Sequence, residues 1–209
     1  MRGVPRVRGF TFVETAVVVA IAGIMLAVGL PSMSNWLLNR KAGAAATFYQ
    51  DALALARNTA ILHNAHTRLV LTPNSGNGKL DWQVDLCIPN GAKCDADNTT
   101  WSTLTTAAGD PDTATDPFKS VGRSAAGMPG AADLSLAVIT PADATSVYFT
   151  PLGWVDTSVT TSNLKGFDLA PGTGRSGAFK KIGVRVTLAG IAVVCDPAIA
   201  LPDVRGCPP

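Results

Sequence analysis

A large excess of charge of either sign is missing from this sequence. Its 209 residues carry 17 basic and 15 acidic side chains, a formal net charge of +2. Three of the basic residues, Arg2, Arg6 and Arg8, fall in the first nine positions, and the remainder holds 14 basic against 15 acidic side chains, a balance of −1. That balance does not indicate a strongly basic, nucleic-acid-seeking surface. Histidine is nearly absent as well. His63 and His66 are the only two, and although their spacing could put both on one helical face, no cysteine or carboxylate cluster adjoins them to complete a metal site. A G-x-S-x-G elbow and a phosphate-binding loop are also lacking: Gly172-Thr173-Gly174-Arg175-Ser176-Gly177 has neither the lysine nor the spacing of the latter and reads as a loop. Catalysis, a resident metal and a cofactor are therefore not expected.

Cysteine is scarce, and its arrangement matters more than its number. The four residues form two close pairs, Cys87 with Cys94 and Cys195 with Cys207. Six and eleven intervening residues are unhelpful for a four-thiolate zinc site, which favours C-x-x-C spacings. In a turn-rich chain with an export-like N-terminus two local disulfides are the natural reading. Disorder is not expected, because 47% hydrophobic residues suffice for a core and the length suits one domain plus an extension. The 20 glycines and 14 prolines lie mostly beyond the N-terminal run and indicate a strand-containing domain rich in turns.

One long apolar run is present, from Phe10 to Leu30. As a helix it would reach about 32 Å, close to the thickness of a bilayer's hydrocarbon core. The arginines before it should stay inside under the positive-inside tendency and place the larger C-terminal part outside. Three readings compete: a cleaved signal peptide, a plain signal anchor, and a leader cut ahead of the apolar run. Glu14 discriminates among them. A carboxylate within the run is a pure cost to the first two, and the small-residue cleavage pattern is not convincingly present around Leu30-Pro31-Ser32-Met33.

The stretch Gly9-Phe10-Thr11-Phe12-Val13-Glu14, with the apolar run and Pro31 after it, resembles the class III signal of type IV prepilins and type II secretion pseudopilins. The resemblance implies that a prepilin peptidase cuts between Gly9 and Phe10 and methylates the new N-terminus at Phe10. Cutting there creates a charged amine at the edge of the apolar helix. Glu14 of one subunit can then pair with that amine on a neighbour, and a paired buried carboxylate is tolerable where a lone one is expensive. Pairing within one subunit is the competing arrangement.

Helical character continues to about Leu62, with Ala44, Phe48, Ala52, Leu55, Thr59 and Leu62 at three- and four-residue spacing as one face of an amphipathic helix. Pro31 and Gly29 are expected to bend or locally melt that helix. After Asn64 short strand-like runs take over at 68–71, 80–86, 134–139, 146–149, 166–169, 182–188 and 191–195. The stretch from about 90 to 130 reads as a long loop. The phrases Phe48 to Ala60 and Val147-Tyr148-Phe149-Thr150-Pro151-Leu152-Gly153, with the terminal hairpin, resemble the GspH/FimT group of minor pilins and minor pseudopilins. That resemblance implies an α+β, pilin-like fold: a leader (1–9), a long N-terminal helix (10–64), and a β-rich head (65–209) whose antiparallel sheet packs on the helix.

The function implied is structural, a minor pilin at or near the tip of a type IV pilus that helps prime its assembly. A GspH-like minor pseudopilin of a type II secretion system is the alternative, and DNA capture in natural transformation a third. Partners would be other minor pilins or pseudopilins, the major pilin and the prepilin peptidase. The chain would begin in the inner membrane as a single-pass protein with a periplasmic head and then enter the pilus or pseudopilus. DNA-receptor relatives carry a GRxR signature on the terminal hairpin, and here Gly190-Ile191-Ala192-Val193 has aliphatic residues in place of both arginines. Arg175, Lys180, Lys181 and Arg185 remain as weak candidate contacts, so nucleic acid is not an expected partner. N-terminal sequencing of the mature protein should find Phe10 first, and replacing Gly9 by a bulky residue should leave the leader attached; a start beyond Leu30 would contradict this reading.

Overall fold

The computed structural model describes residues 9–87, 94–95, 101–106, 118–139, 141 and 144–208. Most of the expected leader and much of the expected loop between 90 and 130 lie outside the described residues. Among those described, a 52-residue helix, α1 (Phe12–His63), is followed by eight strands: β1 (His66–Pro73), β2 (Leu80–Cys87), β3 (Val121–Arg123), β4 (Leu134–Ile139), β5 (Ser146–Phe149), β6 (Gly166–Pro171), β7 (Ile182–Val186) and β8 (Ala192–Cys195). They make two antiparallel sheets, ordered β3-β2-β1-β5 and β4-β6-β7-β8. This is the α+β, pilin-like arrangement, with the single expected sheet resolved into two.

Both ends of α1 have local causes. Thr11 is extended at the N-cap, and its hydroxyl accepts a hydrogen bond from the Glu14 N–H at 3.2 Å, satisfying one of the donors a helix start leaves free. At the other end Asn64 turns left-handed (φ 45°), its N–H donating to the Ile61 carbonyl at 3.3 Å while Ala65 N–H reaches the Ala60 carbonyl at 3.1 Å. His66 consequently opens β1 instead of extending the helix, and the two histidines do not share a helical face. The helix runs on through position 31, for about 78 Å in all.

The C-terminal half of α1 lies between the two sheets. Its buried stripe is Leu38, Ala42, Ala45, Ala46, Tyr49, Ala52, Leu53, Ala56, Thr59 and Ala60, three to four residues apart. Of the expected face Ala52 and Thr59 are buried, whereas Ala44 is exposed, Phe48 and Leu55 are partly covered, and Leu62 is 81% exposed. Alanine explains the difference. It adds little to an apolar pattern, yet it lets backbone and sheet approach closely, so an alanine stripe outcompetes the bulkier row beside it.

Tyr49, completely buried, sits at the centre. Its ring stacks on Phe167 of β6 with centroids 4.5 Å apart and meets Phe48 edge-on at 5.2 Å. Its hydroxyl donates to the Leu80 carbonyl at 3.0 Å and accepts from the Leu80 N–H at 3.2 Å, tying α1 to β2. One side chain thus joins the helix to both sheets. Away from the helix the sheets are tied by Val155 N–H to Leu188 O at 3.0 Å and Leu164 N–H to Ser146 O at 2.8 Å.

Two turns meet at the end of α1. Gly190 (φ 75°), in the tip between β7 and β8, approaches the Gly153 carbonyl so closely that a Cβ there would lie 2.0 Å from its oxygen. Gly153 (φ 77°) in turn lies against Ile61, and Arg57 Nε donates to the Ala189 carbonyl at 3.4 Å. The expected long loop also contains structure: β3 pairs with β2 at its end, and Ser102 N–H donates to Leu86 O at 2.8 Å. Three exposed residues, Val121-Gly122-Arg123, give no alternating signal by which an edge strand could be read from sequence.

The expected single-pass span over residues 10–30, and with it the inner-membrane placement with a periplasmic head, is corrected. Among the described residues no helix is long and apolar enough to cross a membrane. Glu14 lies in the first turn of α1.

Burial pushes the Tyr49 phenol up to about 12 from 10.0, despite its hydrogen bond with Leu80. Folded protein then keeps this proton through a range where the unfolded chain loses it. Stability should therefore fall as pH rises from about 10 towards 12, by roughly 2–3 kcal/mol from this group. Denaturant titration should show less of that alkaline loss in Tyr49→Phe, which itself costs about 1–3 kcal/mol at neutral pH by leaving Leu80 unpaired. Tyr49→Ala should cost about 3–5 kcal/mol.

Candidate functional site

The N-terminal part of α1 is exposed on every side. Phe10, Phe12, Val13, Val17, Val18, Val19, Ile21, Ile24, Met25 and Leu26 are all between about half and nine-tenths accessible. Around a helix this continuously apolar the physical expectation is burial against other protein surfaces. Glu14 is the single charge between Phe10 and Trp36. Its position in the first turn, three residues after the Thr11 cap, favours a carboxylate because the helix dipole presents positive charge there. Sequence reading assigned Glu14 to pairing alone and missed this local role, although a threonine followed three residues later by glutamate signals it.

Gly9 is exposed, with open space around its Cα, ahead of Phe10 and the capped turn. A cut there leaves the new amine four residues from Glu14. Thr15 Oγ1 also donates to the Phe12 carbonyl at 2.8 Å, so the first turn is closed by short polar side chains.

Both cysteine pairs form disulfides, Cys87–Cys94 and Cys195–Cys207. The first packs with Trp101 and Tyr148 in a small satellite core at the end of β2. Beside it Asp85, almost fully buried, accepts from Arg68 Nε at 2.9 Å and Ser120 Oγ at 2.6 Å, while the Arg68 guanidinium lies 4.6 Å from the Trp101 ring centre. The second disulfide pins the C-terminal tail onto β8, against Gly183 of the neighbouring β7. A Cβ at Gly183 would stand 2.6 Å from Cys207 Sγ, so only glycine leaves room for the bridge.

The four candidate cations do not act as one free patch. Arg185 is nearly buried; it donates to Asp168 Oδ1 at 2.8 Å and to the Phe167 carbonyl at 2.8 Å. Arg175 Nε pairs with Asp133 at 2.9 Å. Lys180 and Lys181 are exposed. Ile191 is half-exposed at the start of the returning arm of the hairpin, where the absent signature would place an arginine. His63 meets Phe118 edge-on at 5.2 Å, and His66 Nδ1 lies 3.3 Å from Asp156 Oδ2. Among the described residues no group of three or more metal-ligating side chains converges.

The family model described as type II transport protein GspH matches residues 45–190, which is the buried half of α1 and nearly all of the sheets. The model of the prokaryotic N-terminal methylation motif matches residues 5–30, including Gly9, Phe10 and Glu14. No curated protein and no solved structure matches the chain.

Loop closure by each disulfide should contribute about 2–3 kcal/mol. Non-reducing peptide mapping should recover the two local pairs without free thiols, and Gly183→Val should lower the melting temperature by displacing Cys195–Cys207.

Proposed function

The chain belongs to the family of type II transport protein GspH, and from that membership we propose that it is a minor pilin, placed at or near the tip of a type IV pilus, where it helps to prime assembly. The general role, a structural subunit of the minor pilin and pseudopilin kind, follows from the two family matches. The observation that carries the finer reading is the exposed apolar half of α1, joined without a break to a half that is locked between two sheets. Such a subunit offers one surface for burial among neighbours and a rigid head that stays outside it.

In this reading the prepilin peptidase cuts Gly9–Phe10 and methylates Phe10, and the new amine pairs with Glu14 of a neighbouring subunit. Pairing offsets the desolvation that packing would impose on both charges. Pro31 supplies a place where the exposed half can bend to fit. Other minor pilins and the major pilin are the partners. Reaction chemistry has no part in this role.

A second reading, a minor pseudopilin of a type II secretion system, is favoured by the description of the matching family itself. Deleting the gene separates the two: loss of surface pili with secretion intact supports the pilus, loss of protein export with pili intact supports the pseudopilus. DNA capture ranks third, because two of the four candidate cations are already neutralised by carboxylates. A duplex-binding titration of the full chain near physiological salt should show no robust affinity.

Glu14→Ala should leave cleavage at Gly9–Phe10 in place and the head folded, yet abolish co-purification with other pilin-like subunits. Normal incorporation of the variant into fibres would show that the carboxylate is dispensable.

A further inference from the structure

Arg123 is the one arginine among the described residues without a hydrogen bond, ion pair or ring contact; Arg40 lies over Trp36, Arg57 reaches Ala189, and Arg68, Arg175, Arg185 and Arg205 each hold a carboxylate. It stands at the rim of a cavity of about 310 Å³ between α1 and the segment after β3. Ala44, Ala45, Phe48 and Met128 form the apolar walls, and Lys41, also unpaired among the described residues, is the second cation. No acidic side chain lines this cavity.

A third donor stands behind it. Trp82 is directly opposite Arg123 in the β2–β3 pair, so the two side chains share a sheet face. Its ring lies 5.8 Å from that of Phe48, and its buried indole N–H has no acceptor among the described residues. Buried polar groups are ordinarily matched, so the Trp82 indole N–H is an unmet buried donor beside two exposed cations.

The wall opposite the helix is held in shape. Asn77 Nδ2 donates to the Ala125 carbonyl at 2.6 Å, and Asp81 accepts from Ala125 N–H at 2.6 Å and from Ser124 Oγ at 3.1 Å. Through Lys41 and Pro129 the cavity continues into a smaller one of about 130 Å³ bounded by Leu37, Leu38 and the Arg175–Asp133 pair. From Phe48 to Ser34 the groove follows about 21 Å of α1, the length of roughly six residues of extended chain, and it leads onto the exposed apolar half.

We propose that this groove, between residues 34–48 of α1 and Arg123–Pro129, docks an extended, carboxylate-bearing segment of a neighbouring pilin-like subunit, its apolar side chains against Phe48 and Met128 and its carboxylate between Lys41 and Arg123. The proposal rests on the assembly role above and names where a partner's head is held. Charge complementarity selects the occupant: cations without anions over an apolar floor fit an acidic peptide and reject a basic one.

The test uses the purified full chain and a fluorescent hexapeptide alternating leucine and aspartate, beside a twin with asparagine for aspartate. The acidic peptide should bind at least about tenfold more tightly, and more weakly as salt rises. Arg123→Glu and Lys41→Glu should each remove that preference with unchanged circular dichroism, while Lys180→Glu should keep it. Equal affinity for the two peptides overturns the proposal, as does laurate binding that neither peptide displaces, which would make the cavity a site for small anionic amphiphiles. In cells, Arg123→Glu should reduce co-purification of pilin-like subunits while leaving Phe10 as the mature N-terminus. If Arg123→Glu keeps its partners and Glu14→Ala loses them, the groove assignment falls and the assembly role stands. If both variants keep their partners, both fall.

Discussion

Tyr49 stands where the helix and both sheets meet, and its burial constrains everything around it. Stacked on Phe167 and hydrogen-bonded at its hydroxyl to both backbone groups of Leu80, it fixes β2 and β6 relative to α1. The alanines one turn away on either side, Ala45, Ala46 and Ala52, bring the sheets close enough for those contacts. Larger residues there would lift the sheets off the helix and leave the phenol unpaired in an apolar core.

A rigid head held in this way makes a long exposed helix usable. The C-terminal half of α1 is part of a core, and the N-terminal half continues it as helix up to the Thr11 cap, with one ladder hydrogen bond missing at Pro31. Glu14 has two compatible demands on it. In the isolated chain it sits where the helix dipole favours negative charge, and in the proposed fibre the same first turn would lie beside the amine that cleavage creates. The carboxylate is therefore tolerable before assembly and specific after it.

The surface of the head divides by the same logic of pairing. Carboxylates satisfy Arg68, Arg175, Arg185 and Arg205 within the chain. Arg123 is left over at the end of an edge strand, next to a groove with an apolar floor. The apolar tips Leu152, Trp154 and Leu188 are the other exposed feature, gathered where Gly153 and Gly190 let two turns touch.

By itself the sequence determined whatever depends on neighbouring residues. The existence of a long helix, the two disulfide pairs and the strands at 134–139 and 146–149 were legible because spacing along the chain encodes them. Tertiary structure decided what depends on distant ones. It selected the alanine stripe over the row of Ala44, Phe48 and Leu62, because close approach to a sheet is a property of two surfaces and alanine is nearly silent in an apolar pattern. It recruited Val121-Gly122-Arg123 as an edge strand solely through pairing with β2. It divided four similar-looking cations into buried, paired and exposed ones, since the carboxylates of Asp133 and Asp168 arrive from elsewhere in the chain. The apolar run at 10–30 suggested a membrane span from composition alone, whereas among the described residues no helix is long and apolar enough to cross a membrane, and Glu14 sits in the first turn of α1.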